Sequence, residues 1–354
     1  MRREMVHPDS RLRRMIPALS LRSGALITAF LLSTSAGAQL LQTPAQTLAQ
    51  STLKGLTADG SVLRRGATTV TLDISGGYVV GVLTETDSLD DLARGVGAGW
   101  GLDETNLPKL KGNLSNPQLL TAARAGFVDT TDDSGTDLIA LKVTGEGSGT
   151  RYAAYVAVNI WPDSAFPVTK AVTGSAAAPV TLRVFSDFQC PYCKQMWDKA
   201  MPAWRRDSAT YRVMHYEFPL SFHRNAQGAA EASECAAAQG KFWPFADQLF
   251  ANFSVWTPLD PKDAPAKYAA YAKAAGLDTA AFKTCVGQRT FKASVDAQVQ
   301  AGLKVNVQGT PTVYLNGLKL SNYSDAREVA RARAITTAQP SAASVIEARL
   351  KAFR

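Results

Sequence analysis

The sequence predicts two units, a small α+β domain over residues 39–165 and an α/β domain over residues 180–354. Three observations carry this reading. An apolar β-type run, Val180-Thr181-Leu182-Arg183-Val184-Phe185, leads through Ser186-Asp187-Phe188-Gln189 into Cys190-Pro191-Tyr192-Cys193. A long helical stretch, about 225–302, separates that motif from Gly309-Thr310-Pro311-Thr312 and a second β-type run. Upstream, residues 69–74 and 78–83 flank Ser75-Gly76-Gly77, a hairpin pattern.

The N-terminus reads as an export signal. Arg13, Arg14 and Arg22 precede a short apolar run over 24–32, and Ala36-Gly37-Ala38 offers the small residues of a cleavage site before Gln39. The run is too short for a comfortable bilayer span. Residues 1–38 are therefore expected to be a signal peptide. The protein is expected to be extracytoplasmic (periplasm or cell envelope), and membrane-anchored if the signal is left uncleaved. The formal charge is +8, of which the first 38 residues carry six arginines against Glu4 and Asp9. What is left is mildly basic and has no dense Lys/Arg patch interleaved with aromatics. That excludes nucleic acid as the expected partner.

Each element of the first domain follows from local pattern. Residues 39–62 read as helical or irregular. After the hairpin, Asp87-Ser88-Leu89-Asp90-Asp91-Leu92 starts a helix with acids in its first turn. A second helix is expected over 117–125, and strands over 138–143 and 152–161 around a glycine-rich turn at 145–149. The order is β-β-α-α-β-β. Gly95, Gly97, Gly99 and Gly101 alternate without fitting a dinucleotide fingerprint, and read as a loop. Asp129, Asp132, Asp133 and Asp137 fit no compact calcium loop and read as a solvated one. Residues 166–179, rich in Pro, Ala, Ser, Thr and Gly, read as a linker. Nothing in this half announces a function.

The second domain carries the chemistry. Cys190-Pro191-Tyr192-Cys193 is expected to open a helix running through Lys194, Trp197, Met201 and Trp204. Proline suits a first helical turn, where its missing donor would be unpaired anyway. Cys190 then sits at the N-cap, where the helix dipole favours a thiolate and makes it the nucleophile. Cys193, one turn on, can resolve a mixed disulfide. Haem attachment would need His at position 194, which is Lys. Cys235 and Cys285 are 50 residues apart and make no second close pair for zinc. No cofactor or metal is expected. His215 and His223 are isolated in sequence and read as structural or surface residues.

Gly309-Thr310-Pro311-Thr312, running into Val313-Tyr314-Leu315-Asn316-Gly317, resembles the cis-proline loop of thioredoxin-fold oxidoreductases. Phe185-Ser186-Asp187-Phe188-Gln189-Cys190 and the texture of residues 229–250 resemble the DsbA-like branch of that superfamily. The resemblance covers about 180–354 and does not reach residues 39–165. It implies an α/β thioredoxin fold with a helical insertion over about 225–302. It implies that Cys190 and Cys193 are catalytic, with Pro191 and Tyr192 completing the motif. Thr310 and Pro311 would bind extended substrate beside them. Some relatives pair cysteines within the insertion, so the resemblance implies a structural Cys235–Cys285 disulfide, with two buried free thiols as the alternative. The implied partners are cysteine-containing secreted proteins and a membrane redox partner for recycling.

Two departures keep the direction of electron flow open. Many relatives carry a buried acid six residues before the first cysteine, and here that residue is Val184. The Pro191-Tyr192 dipeptide, Val184 and Thr310 also resemble the disulfide isomerases, which dimerise through an N-terminal domain. The readings are thus an exported dithiol oxidase, an isomerase or reductase, and a non-catalytic iron–sulfur or metal-binding module.

Overall fold

The computed structural model describes residues 40–129 and 136–354. The expected signal peptide, and Asp132 and Asp133, lie outside the described residues. Two sheets organise the chain. The first has seven strands in the order β1-β2-β3-β4-β7-β6-β5, all antiparallel. These are β1 (Thr57–Asp59), β2 (Val62–Arg65), β3 (Thr68–Ser75), β4 (Tyr78–Thr86), β5 (Phe127–Asp129), β6 (Asp137–Thr144) and β7 (Arg151–Val158). Helix α1 (Pro44–Leu48) precedes them, and α2 (Leu89–Trp100), α3 (Leu107–Leu114) and α4 (Pro117–Arg124) connect β4 to β5.

The sheet is longer than residues 39–62 suggested. Asp59-Gly60 turns β1 into β2, with Gly60 at φ +60°, a conformation that favours glycine. Asp129 and Asp137 belong to the ends of paired strands rather than to a solvated loop. The alternating glycines are also not a loop. Gly95, Gly97 and Gly99 lie inside α2, and Gly101 ends it in a left-handed conformation. Their reason is close packing of helix on sheet. A Cβ at Gly95 would collide with the Thr84 side chain, and one at Gly99 would stand 2.8 Å from Val156 Cβ. The packing gained there offsets the low helix propensity of glycine, about 1 kcal/mol per residue.

The second sheet has the order β12-β11-β9-β10-β8. It comprises β8 (Val172–Thr173), β9 (Val180–Ser186), β10 (Tyr211–Glu217), β11 (Thr312–Leu315) and β12 (Leu318–Lys319). β9 and β10 are parallel, and the remaining pairs are antiparallel. Between β9 and β10 lie α5 (Pro191–Lys199) and α6 (Met201–Arg206). The single helix expected here is two, broken at Ala200. Pro202 has no N–H to donate and would clash with the preceding turn. Between β10 and β11 the insertion supplies α7 (Ala226–Ala238), α8 (Phe242–Ala251), α9 (Phe253–Trp256), α10 (Ala264–Ala274), α11 (Thr279–Gly287) and α12 (Lys292–Lys304). Two C-terminal helices follow, α13 (Ala326–Thr337) and α14 (Ala342–Leu350).

Residues 166–179 do more than link. Phe166 packs into a buried cluster with Phe185, Tyr216, Phe218, Val305, Val307 and Tyr314, and residues 172–173 form the edge strand β8. The composition was loop-like because β8 is only two residues long. The far C-terminus crosses over to the first sheet. On α14 and just beyond it, Ala342, Ile346, Leu350 and Phe353 are buried at near-helical spacing. Arg349 donates to both carboxylate oxygens of buried Asp73 on β3, and Phe353 stacks on Tyr155 of β7 at 6.4 Å. The strand register puts Asp73, Leu83 and Tyr155 on one face and Val82, Thr84 and Val156 on the other. The first sheet is therefore covered by α2 on one side and by α14 on the other.

Candidate active site

The site lies where β9 runs into α5, beside the turn that enters β11. Cys190 has extended backbone angles and caps α5, with Pro191 at the first helical position. Its carbonyl accepts from Lys194 N at 3.1 Å, which starts the helix. Asp187 builds the turn before it. Its carbonyl accepts from Cys190 N at 3.1 Å and its Oδ1 accepts from Gln189 N at 2.7 Å. The Gln189 side chain then ties the motif to the helical insertion. Its amide donates to Thr257 O at 2.9 Å and its Oε1 accepts from Asn225 N at 2.7 Å.

The structure brings Cys190, Cys193, Thr310 and Pro311 together. Cys190 Sγ lies 3.3 Å from the Thr310 carbonyl, and the Thr310–Pro311 peptide is cis. Cys193 is fully buried behind Cys190, and the Asp187 backbone N–H points at its Sγ from 3.4 Å. Tyr192 projects outward, 68% exposed, and Phe222 stands 75% exposed beside His223. Both 190 and 193 are free thiols in this structure.

The two thiols are electrostatically unequal. Hydrogen bonding from the Cys193 side chain, followed by the Cys193 backbone and the Thr310 contact, lowers Cys190 to about 6. Cys193 is pushed up, first by burial and then by its proximity to Cys190. The outer sulfur is thus the stable thiolate and the inner one holds its proton. That asymmetry is what nucleophilic attack followed by internal resolution requires.

Cys235 and Cys285 lie away from this site. They form a disulfide between α7 and α11, with a Cα–Cα distance of 6.0 Å. Among the described residues no group of three or more His, Cys, Asp or Glu side chains is arranged to hold a metal ion, and no helix is long and apolar enough to cross a membrane.

Sequence reasoning missed the pairings of both histidines. His223, read as isolated, places Nδ1 2.7 Å from Asp187 Oδ2. Asp187 itself is buried, and its Oδ2 also accepts from Leu220 N at 2.9 Å. Burial raises this carboxyl, while the donors from Leu220, His223 and Gln189 pull it back. His215, the other isolated histidine, is buried on β10 with Nδ1 3.4 Å from Glu217 Oε1. The Asp187–His223 pairing has no sequence signal, because it depends on which loop the fold sets beside the motif, whereas His215 and Glu217 are two apart on one strand and so share a face.

Residues 167–332 match the thioredoxin family. That segment is a little under half of the chain, and over it the chain is similar to thiol–disulfide oxidoreductases of the DsbA type. Disulfide bond formation protein D of Bacillus subtilis is 28% identical over 165 residues, spanning 45% of this chain and 72% of that protein. Na(+)/H(+) antiporter NhaA 3 of Salinispora tropica is 37% identical over 150 residues, spanning 41% of this chain and 21% of that protein. The chain therefore spans about a fifth of the length of that antiporter-named relative. Among solved structures, oxidised BdbD from Bacillus subtilis superposes with a TM-score of 0.41 at 24% identity, covering 49% of this chain and 95% of that one. These similarities concern about half of the chain.

Proposed function

We propose that the protein is an exported dithiol oxidase that introduces disulfides into cysteine-containing secreted proteins. In its oxidised form Cys190 and Cys193 share a disulfide. A substrate thiolate bonds to Cys190 Sγ, the Cys190–Cys193 bond breaks, and Cys193 leaves with the electron pair and gains a proton. A second substrate thiolate attacks the mixed disulfide at the substrate sulfur and expels Cys190 as a thiolate. The substrate ends oxidised and the protein reduced, and a membrane redox partner takes the two electrons away. Thr310 and Pro311 hold the substrate backbone alongside Cys190. The observation that carries this reading is the unequal thiol pair, with a stable outer thiolate that makes a good leaving group.

The N-terminal sheet favours oxidase over isomerase. An isomerase dimerising through residues 39–165 needs a free surface there. This sheet has one face under α2 and the other under α14 of its own chain, and its edge strands are three residues long. The test is the in-cell redox state of Cys190 and Cys193 by thiol alkylation, read with the mass of the purified protein in solution. A mostly oxidised monomer supports the oxidase. A stable dimer with a reduced pair replaces it with an isomerase. A reduced monomer replaces it with a reductase.

A further inference from the structure

The reaction proposed above puts a charge where no solvent receives it. When the Cys190–Cys193 bond opens, the electron pair arrives on Cys193 Sγ, and Cys193 is fully buried. Burial opposes a thiolate there, so opening depends on donors already fixed around that sulfur. One is the Asp187 backbone N–H at 3.4 Å. The preceding residue, Ser186, carries a buried hydroxyl that has no hydrogen-bond partner among the described residues.

The sheet sets that hydroxyl beneath Cys193. Ser186 and Val184 alternate with Phe185, so they share the face of β9 opposite to the Phe185–Tyr216 stack. Val184 is in register with His215, and Ser186 with Glu217. Helix α5 lies on this face, because its Trp197 ring meets the His215 ring edge-on at 6.1 Å. Since β10 is parallel to β9, the helices between them run back along the sheet. Cys193 is one helical turn before Trp197 and on the same side of α5. Ser186 is two strand residues beyond Val184. The two steps match, about 6 Å along a helix and about 6.6 Å along a strand. With Trp197 over Val184 and His215, Cys193 stands over Ser186. Burial above all drives the Cys193 thiol up, and the contacts that pull it back down are the Asp187 N–H and the Ser186 hydroxyl.

We propose that the Ser186 hydroxyl is the side-chain donor that receives the negative charge on Cys193 as the disulfide opens. The proposal rests on the thiol chemistry argued above. A buried hydroxyl without a partner lowers the stability of the folded chain. Neither a disulfide sulfur nor a thiol is a strong acceptor, so Ser186 gains little from either resting state. A thiolate is a charged acceptor, and the bond to it is strong only while Cys193 is leaving or attacking. The hydroxyl therefore speeds opening and closing alike and leaves the equilibrium between them unmoved. In the opening step a thiolate bonds to Cys190 Sγ, the Cys190–Cys193 bond breaks, and the electron pair goes to Cys193 under the Ser186 O–H. Cys193 then takes up a proton equal to the one that the attacking thiol released to solvent. The competing use of the hydroxyl is a bond to Glu217, whose Oε2 is also buried without a partner.

The experiment opens the oxidised full-length protein with reduced glutathione at fixed pH under single-turnover conditions. It also follows closure of the isolated glutathione mixed disulfide, and measures the redox equilibrium in glutathione buffers. In Ser186→Ala both rates are expected to fall by about ten- to a hundredfold, the worth of one hydrogen bond to a charged group. The redox equilibrium and the alkylation midpoint of Cys190 should stay where they are in the wild type, and stability in urea should be equal or higher. Ser186→Thr keeps the hydroxyl and should restore most of both rates. A merely structural role would instead move the equilibrium or the Cys190 midpoint. Unchanged rates in Ser186→Ala overturn the proposal and leave the thiol chemistry standing. Unchanged rates with a loss of stability overturn it in favour of a bond to Glu217. A Ser186→Thr variant as slow as Ser186→Ala overturns it as well. If glutathione does not open the wild-type Cys190–Cys193 bond, the reading of the site fails and this inference falls with it.

Discussion

The two cysteine pairs of this chain have the same elements and opposite designs. Cys190 and Cys193 are one helical turn apart, at the exposed end of a helix, with unequal thiols and a peptide carbonyl at 3.3 Å from the outer one. Cys235 and Cys285 are 50 residues apart and join the flanks of two helices already packed together. The first pair closes almost no loop, so its bond adds little chain entropy and can open and close freely. The second closes a long loop and is worth about 4 kcal/mol on the entropy account, with typical yields of 2–4. Reactivity here follows from placement at a helix terminus and from asymmetry. Inertness follows from loop length and from the packed helices that the bond joins, since Cys190 and Cys193 are themselves buried.

The largest expected effect breaks the reactive pair. Cys190→Ser abolishes oxidation of a dithiol peptide. Cys193→Ser leaves attack intact and accumulates mixed disulfides through Cys190, visible on non-reducing gels. Adducts mapped to position 193 in the converse variant, Cys190→Ser, would reverse the assignment.

A second test sharpens the asymmetry through pH. Alkylation of the reduced protein by iodoacetamide should be confined to Cys190 and half-maximal near pH 6, falling tenfold per pH unit below it. An ordinary thiol midpoint near 8.5 would remove the proposed asymmetry. The same shift has a signed consequence for stability. Cys190 is depressed in the folded state, so its contribution is complete above the unfolded thiol value near 8.5 and is lost as pH falls through about 6. The melting temperature of the reduced protein should therefore gain on that of the oxidised protein between those limits.

The inert pair predicts the opposite pattern. Cys235→Ala with Cys285→Ala should lower unfolding stability in urea by about 2–4 kcal/mol while leaving the alkylation rate of Cys190 unchanged. A changed rate with unchanged stability would mean that the two pairs are coupled. The smallest effect concerns the non-covalent clasp that the C-terminus makes on the first sheet. Arg349→Ala leaves buried Asp73 without its bidentate partner and should cost about 1–3 kcal/mol, since the guanidinium is about a third exposed. No loss in urea unfolding would show that α14 is held by its apolar face alone.

The reactive motif was legible because its logic is local. An apolar β run, a short connection, a cysteine, a proline and a second cysteine one turn later specify a strand and a capped helix within 14 residues, Val180 to Cys193. The Thr310-Pro311 loop was legible only by resemblance, since nothing at positions 309–312 says which residue will face it across more than a hundred others. The helical insertion was visible in its alanine content. Its end at Lys304 rather than about 302 is the usual uncertainty of a fraying terminus.

Other features depended on distance in space. The glycines of α2 broke the helical pattern in composition, and only Thr84 and Val156 opposite them explain why helix wins there. Asp187 and His223 are 36 residues apart, and only the folded loop brings them together. Residues 39–165 look self-contained in sequence, yet one face of their sheet is closed by a helix from the far end of the chain. Local propensity and spacing act over one or two turns, and that range reaches the cysteine motif. Charge pairing, close approach and the covering of a sheet face depend on residues brought together from dozens to hundreds of positions away, and those belong to the folded chain.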